Sequence, residues 1–264
     1  MREGSSCRQA RESCLRTFKL LVQYDGTDYV GWQRQAAGAS IQGLIEEALA
    51  LIEGRAVTVQ GAGRTDAGVH AVGQVASVRL ETALDEATLG RAINANLPLA
   101  IRVMHVAVMG DDFHARFSAN AKRYEYRIWN GPVCPPFVRL YVWHVPQALD
   151  VEAMRRATTS IVGRHDFAAF QGAGSSTHST IRTITTAEWR GGGSTGPLVL
   201  SISGDGFLRH MVRGIAGTLV EVGRGWRAPD ALTALLSTGQ RQQVGRTAPA
   251  CGLFLMEVDY GDER

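Results

Sequence analysis

Paired cysteines are missing from this chain. Cys7, Cys14, Cys134 and Cys251 are scattered and no Cys-x-x-Cys occurs, so spacing supports neither a zinc site nor a disulfide framework. A reducing, cytoplasmic setting is the expectation that follows. Long apolar runs are missing too: none approaches the ~18 residues that a membrane span requires. No Gly-Lys-Ser/Thr follows a glycine-rich stretch, which removes the P-loop as a nucleotide site. Charge of one sign is not in large excess. Lys and Arg number 28 against 25 Asp and Glu, a net +3 that permits a nucleic-acid partner without requiring one. The first residues, Met1-Arg2-Glu3-Gly4-Ser5-Ser6-Cys7, have no apolar stretch behind them, so a secretory signal is not expected and residues 1–16 read as a frayed, flexible basic arm.

What is present is enough apolar residue, 45% of 264, to bury a sizeable core. Alternation predicts strands at Phe18–Tyr24, Ala56–Gln60, Gly73–Leu80 and Ile101–Met109. A helix capped by Ser40 runs to Gly54, with Ile41, Leu44, Ile45, Ala48, Leu49 and Ile52 on one face, and a weaker one spans Asp85–Asn96, stopped before Pro98. That order is β-α-β-β-α-β, the ferredoxin-like arrangement. The remainder repeats it in outline: a strand at Ala121–Trp129, a helix from Asp150 to about Val162, and strands at Thr180–Arg190 and Pro197–Gly204. A long helix at Phe207–Val222, a short one near Pro229–Leu236 and a last strand at Gly252–Tyr260 complete it. The expected fold is therefore α+β. Two ferredoxin-like halves, 17–116 and 117–264, join their antiparallel sheets, with helices on one side and a central cleft for the active site.

The stretch Gly61-Ala62-Gly63-Arg64-Thr65-Asp66-Ala67-Gly68-Val69-His70 is the most suggestive one in the chain. A dinucleotide fingerprint needs Gly-x-Gly-x-x-Gly opening a helix; here the third glycine comes two positions late and extended sequence follows. Three readings of Asp66 remain: a turn former, a phosphate-site residue, or a nucleophile. Arg64, two residues before it, can reach the carboxylate and hold it ionised. A metal site built from His70, His105, His114 and Asp66 lacks helical ligand spacing, and no metal is expected.

On Lys122–Ile128, period two places Lys122, Tyr124, Tyr126 and Ile128 on one face and Arg123, Glu125 and Arg127 on the other. The aromatic face can stack on unpaired bases or simply fill a core under a solvated charged back. Arg209 and Arg213 stand one helical turn apart and can grip two phosphates or decorate a surface.

Taken in order, several blocks resemble the tRNA pseudouridine synthase A family. They are Tyr24-Asp25-Gly26-Thr27, Gly31-Trp32-Gln33-Arg34-Gln35, Gly61–His70, Asn94-Ala95-Asn96-Leu97-Pro98 and Asp111-Asp112-Phe113-His114-Ala115-Arg116. Arg123-Tyr124 with Tyr126, Phe207-Leu208-Arg209-His210-Met211-Val212-Arg213, and Gly252-Leu253 follow. The resemblance spans residues 18–260. It implies an isomerase that turns uridine into pseudouridine at positions 38, 39 and 40 of the tRNA anticodon stem-loop, by base flipping, without a cofactor, as a homodimer. By match, Asp66 is the nucleophile, Arg64 its ion-pair and gating partner, Tyr124 the residue packed on the uracil, and Leu253 a pocket wall. Arg34, Arg209 and Arg213 would meet the RNA backbone. Two departures stand out: Gly214 replaces the Asn that the family pattern leads one to expect, and 172–183 matches poorly until Arg182. The rival reading is a non-catalytic tRNA-binding or folding protein using the same surface, with a metal-dependent hydrolase third.

Overall fold

The computed structural model describes residues 15–174, 177, 179–193 and 196–261. Most of the expected basic arm, residues 1–14, lies outside them. Arg16 belongs to the first strand instead: its guanidinium donates to the carbonyls of Thr82 and Leu84 and lies over the Phe18 ring.

The first half runs β1 (Arg16–Tyr24), α1 (Ile41–Glu53), β2 (Gln60–Gly61), β3 (His70–Leu80), α2 (Glu86–Ala95) and β4 (Ile101–Met109). The second runs β5 (Ala121–Asn130), β6 (Trp143–Val145), α3 (Val151–Thr158), β7 (Gly163–Asp166), β8 (Ile181–Gly191), β9 (Leu198–Gly204), α4 (Met211–Gly223), α5 (Ala231–Thr238) and β10 (Leu253–Asp259). The caps explain the helix starts. Ser40 Oγ accepts from Gly43 N–H, Asp85 from Thr88 and Asp150 from Ala153, and Gly54 ends α1 in the left-handed region.

One sheet of ten strands results, ordered β4-β1-β3-β10-β5-β9-β8-β7, with β2 on β3 and β6 on β5. Within each half the order of the four main strands is last, first, third, second, the ferredoxin-like pattern repeated. The seam is parallel: Phe254 and Leu255 of β10 pair with His70 and Ala71 of β3. The strand that closes the chain therefore holds the end of the glycine loop against the second half. Phe18, Leu20, Val22, Ile41, Ile45, Leu49, Ile93, Tyr126, Leu200, Ile202 and Ile215 are among the side chains of the continuous core.

Three expectations need correction. The strand expected at Ala56–Gln60 shrinks to Gln60–Gly61, because only those residues pair with Ala76 and Ser77. β3 starts at His70, since its first residues gain β10 as a partner. The long helix starts at Met211 and not Phe207, and this change reshapes the site.

Candidate active site

The glycine loop is clamped from several directions. Gln60–Gly61 leads into it, and Ala62 N–H donates to Val75 O at 2.8 Å. Gly63 exchanges two hydrogen bonds with the Gln74 side-chain amide, at 2.9 and 3.3 Å. Thr65 Oγ1 and Tyr24 Oη share a buried bond of 2.8 Å, and burial pushes the Tyr24 hydroxyl up to about 12. Val69 N–H closes a turn on Asp66 O at 3.1 Å. The aromatic-polar block Tyr29–Gln35 is the other jaw. Trp32 N–H donates to Thr65 O at 3.0 Å, and the buried Trp32 ring lies on Gly61, where a Cβ would come within 2.4 Å of it. Gly31 bridges Asp66 with φ +104, a conformation that L side chains rarely adopt.

The far end of the loop is tied across the seam. His70 is buried, stacks on Phe254 at 4.6 Å, and accepts Gly26 N–H at Nδ1. Burial lowers the His70 pKa against the pull of Asp25, whose Oδ1 lies 3.1 Å from the same nitrogen. Asp25 in turn accepts the Tyr141 hydroxyl at 2.7 Å.

Asp66 is thus presented on a rigid loop with its carboxylate 23% exposed. Its partners come from the second half. Arg213 Nη1 donates to Oδ2 at 3.0 Å, His210 Nε2 lies 3.4 Å from the same oxygen, and Arg209 Nε is 3.9 Å from Oδ1. The Arg64 pair expected from the two-residue spacing is not formed; among the described residues Arg64 is exposed and makes no ion pair. Arg213 is not a free phosphate grip either. It is 16% exposed, and its Nε is committed to Ala248 O at 2.8 Å.

The late start of α4 produces this geometry. His210 has φ 64 and ψ 0, the only non-glycine with positive φ among the described residues. His is among the side chains that tolerate that region. The break turns Arg209 and His210 off the helix toward Asp66, while Arg213 reaches the same carboxylate from the first turn. Gly172 N–H secures it by donating to Arg209 O at 2.7 Å. Burial and the guanidiniums of Arg213, Arg209 and Arg241 lower the His210 pKa against the pull of Asp66. Sequence reasoning quoted His210 within a block but gave it no role; its three-residue offset from Arg213 was the available signal.

Tyr124 is buried on β5, edge-on to Phe207 at 5.0 Å, and its hydroxyl makes no hydrogen bond among the described residues. Burial, with Asp66 nearby, raises its pKa, so the hydroxyl keeps its proton. Leu253, buried, opens β10 opposite Tyr126. Arg34 lies apart from Asp66's partners, between Glu46 at 3.3 Å and Glu47 at 3.6 Å. Gly214 faces Phe170, whose Cδ1 would lie 3.3 Å from an added Cβ, so a larger residue there must move that ring. His70 and His114 are engaged elsewhere, and no group of three His, Cys, Asp or Glu able to hold a metal occurs among the described residues. Nor is any described helix long and apolar enough to cross a membrane.

Chemically, the arrangement is a partly exposed carboxylate, faced by two guanidiniums and a histidine, near a buried aromatic ring. Such a carboxylate can stabilise positive charge, form an ester or take a proton.

Comparisons with known proteins bear on the family to which the chain belongs. The profile of the tRNA pseudouridine synthase family matches residues 20–118 and 157–261. A tRNA pseudouridine synthase A of Syntrophotalea carbinolica is 46% identical over 251 residues, 93% of this chain and 96% of that one. Proteins of the same description from Solidesulfovibrio magneticus and Pelobacter propionicus are 44% and 42% identical, each over more than nine-tenths of this chain (92% and 93%) and 90% and 100% of their own length. A chain of a Cbf5-Nop10-Gar1 complex superposes with a TM-score of only 0.30 at 12% identity, over 77% of this chain and 54% of that one. With a family profile matched across both halves and near-full-length relatives above 40% identity, this chain belongs to the tRNA pseudouridine synthase A family, a family of isomerases.

Proposed function

We propose that this protein converts uridine to pseudouridine at positions 38, 39 and 40 of the tRNA anticodon stem-loop, with Asp66 acting on the reacting nucleotide. The C1′–N1 bond breaks, the uracil turns within the site, and a C1′–C5 bond forms while the C5 proton leaves and N1 gains one. Atoms and electrons balance without a co-reactant. A carboxylate at C1′ serves by charge stabilisation, by a covalent bond, or by taking the C2′ proton to give a glycal.

The observation that carries this reading is Asp66 on its clamped loop, open on one side, with Tyr124 beside it. A uridine in a stem must be flipped out to reach it. Tyr124 then packs on the uracil, and Leu253 walls the pocket. Arg64, exposed and without an ion pair among the described residues, is placed to enter the space the base leaves, which makes it a gate instead of a partner for Asp66. Arg34 and Arg209 meet the RNA backbone. The enzyme works in the cytoplasm as a homodimer, with one tRNA lying across both subunits.

The test is direct. An unmodified tRNA transcript with uridine at 38, 39 and 40 is incubated with the protein, and pseudouridine is mapped by carbodiimide-dependent primer-extension stops. Stops at those positions are expected; stops elsewhere, or none, refute the assignment.

A further inference from the structure

Lys122 sits two residues before Tyr124 on β5, so both side chains leave the same face of the sheet. The glycine loop covers both. A Cβ added to Gly63 would lie 3.6 Å from Tyr124 Oη and 3.8 Å from Lys122 Cε. Lys122 is therefore in contact range of the loop that presents Asp66, next to the ring beside it.

Its surroundings are unusual for a lysine. It is half-buried, and among the described residues it makes no hydrogen bond and no ion pair. The charges that act on it are Arg116, Arg182 and Asp205, and burial together with the two arginines lowers its pKa. Asp205 is exposed and already accepts Thr183 N–H at 3.0 Å. Arg116 and Arg182, from two other segments, are near enough for their charge to act on Lys122, although Arg182 Nη1 also donates to Ser179 O and Ile181 O; Asp205, itself partly committed, is the one carboxylate whose charge acts on it. A desolvated ammonium without a counter-charge costs stability. An anion arriving there would repay that cost.

Resting on the reading that the substrate is RNA, we propose that Lys122 binds a backbone phosphodiester next to the reacting nucleotide, with Arg116 and Arg182 flanking it. An RNA strand whose base lies on Tyr124 carries a phosphate on each side of that nucleotide. Lys122 is one pleat away, about 7 Å along the strand. A lysine suits the task as a point charge on a flexible stem. Charge at this spot would fix the strand's register and would make substrate capture salt-dependent.

The test uses transcripts with one neutral methylphosphonate, placed 5′ or 3′ of the target uridine, and single-turnover kinetics with wild type, Lys122→Met and Lys122→Arg. For wild type, one of the two neutral linkages lowers the rate at sub-saturating enzyme about 10- to 100-fold. Lys122→Met shows a similar loss on the ordinary transcript and little further loss on that modified one. Lys122→Arg recovers part of the rate. The proposal is overturned if neither linkage slows wild type, or if the Lys122→Met loss persists undiminished on both modified transcripts. The wild-type series decides the matter even if Lys122→Met folds poorly. A wild type that forms no pseudouridine on the ordinary transcript would refute the proposed function instead.

Discussion

Two carboxylates in this molecule are each surrounded by cations, and they make different structures of it. Asp66 faces Arg213, His210 and Arg209. Glu125, on the opposite side of β5 from Tyr124, faces Arg123 at 3.5 Å, Arg127 at 3.1 Å, and Arg190 in close contact. Glu125 is sealed, its side chain 4% exposed, and Arg127 lies over the Phe254 ring at 3.9 Å. Asp66 is more open, on a loop rather than a strand, near the Tyr124 ring, whose hydroxyl makes no hydrogen bond among the described residues. Ion pairing alone therefore does not mark a functional acid. Asp66 differs from Glu125 in its access, its loop backbone and the nearby Tyr124 ring, and on the proposed function these are the features that mark the acting carboxylate.

The largest effect that separates the two sites is one of stability. Glu125→Gln leaves three guanidiniums around a neutral amide and is expected to cost about 3 kcal/mol or more. Urea unfolding reads this as a lower midpoint at unchanged slope, while turnover per folded molecule stays at the wild-type value. Next comes Arg213→Gln. Loss of the 3.0 Å bond frees the carboxylate to wander, and turnover falls about 100-fold with little change in KM. A wild-type kcat in that variant would make the Asp66 pair a scaffold like the one at Glu125.

The smallest effect is a pH dependence at His210. Its folded pKa lies below the ordinary value near ~6.5. The folded state therefore favours the neutral ring, and the unfolded chain takes up the proton first as pH falls. This contribution to stability is whole above about pH 6.5 and drains as pH falls toward the lowered folded pKa. His210→Asn tolerates the left-handed backbone and removes the titration. Chemical unfolding across pH should show a shallower acid-side loss in that variant; parallel curves would deny the assignment.

Much of this was legible in the sequence, and the reasons differ by region. Ser40, Asp85 and Asp150 announced their helices because a cap is a local device, and the ordered element types led to the repeated ferredoxin-like pattern. The loop around Asp66 stood out through its glycines. Its partners did not, because they are set through space. Arg64, two residues away, makes no ion pair with Asp66, whereas Arg213 arrives from 147 residues on. The apolar pattern ran unbroken through Phe207 and Leu208, which hid the break at His210. That break depends on Gly172 and Asp66, neither of them local. The charged face of β5 read as a solvated back; Arg190, reaching from β8, covers Glu125 instead. The strand predicted before the loop failed because β3 offers it only two residues.

The central claim is that Asp66, and not merely a cation-bound carboxylate, acts on the reacting nucleotide. Transcripts labelled with tritium at C5 of uridine test it, since that hydrogen must leave when C5 bonds to C1′. Single-turnover tritium release is measured for wild type, Asp66→Asn and Glu125→Gln at matched tRNA occupancy. The account predicts no release from Asp66→Asn despite bound tRNA, and wild-type release from folded Glu125→Gln. Release by Asp66→Asn at the wild-type rate would contradict it.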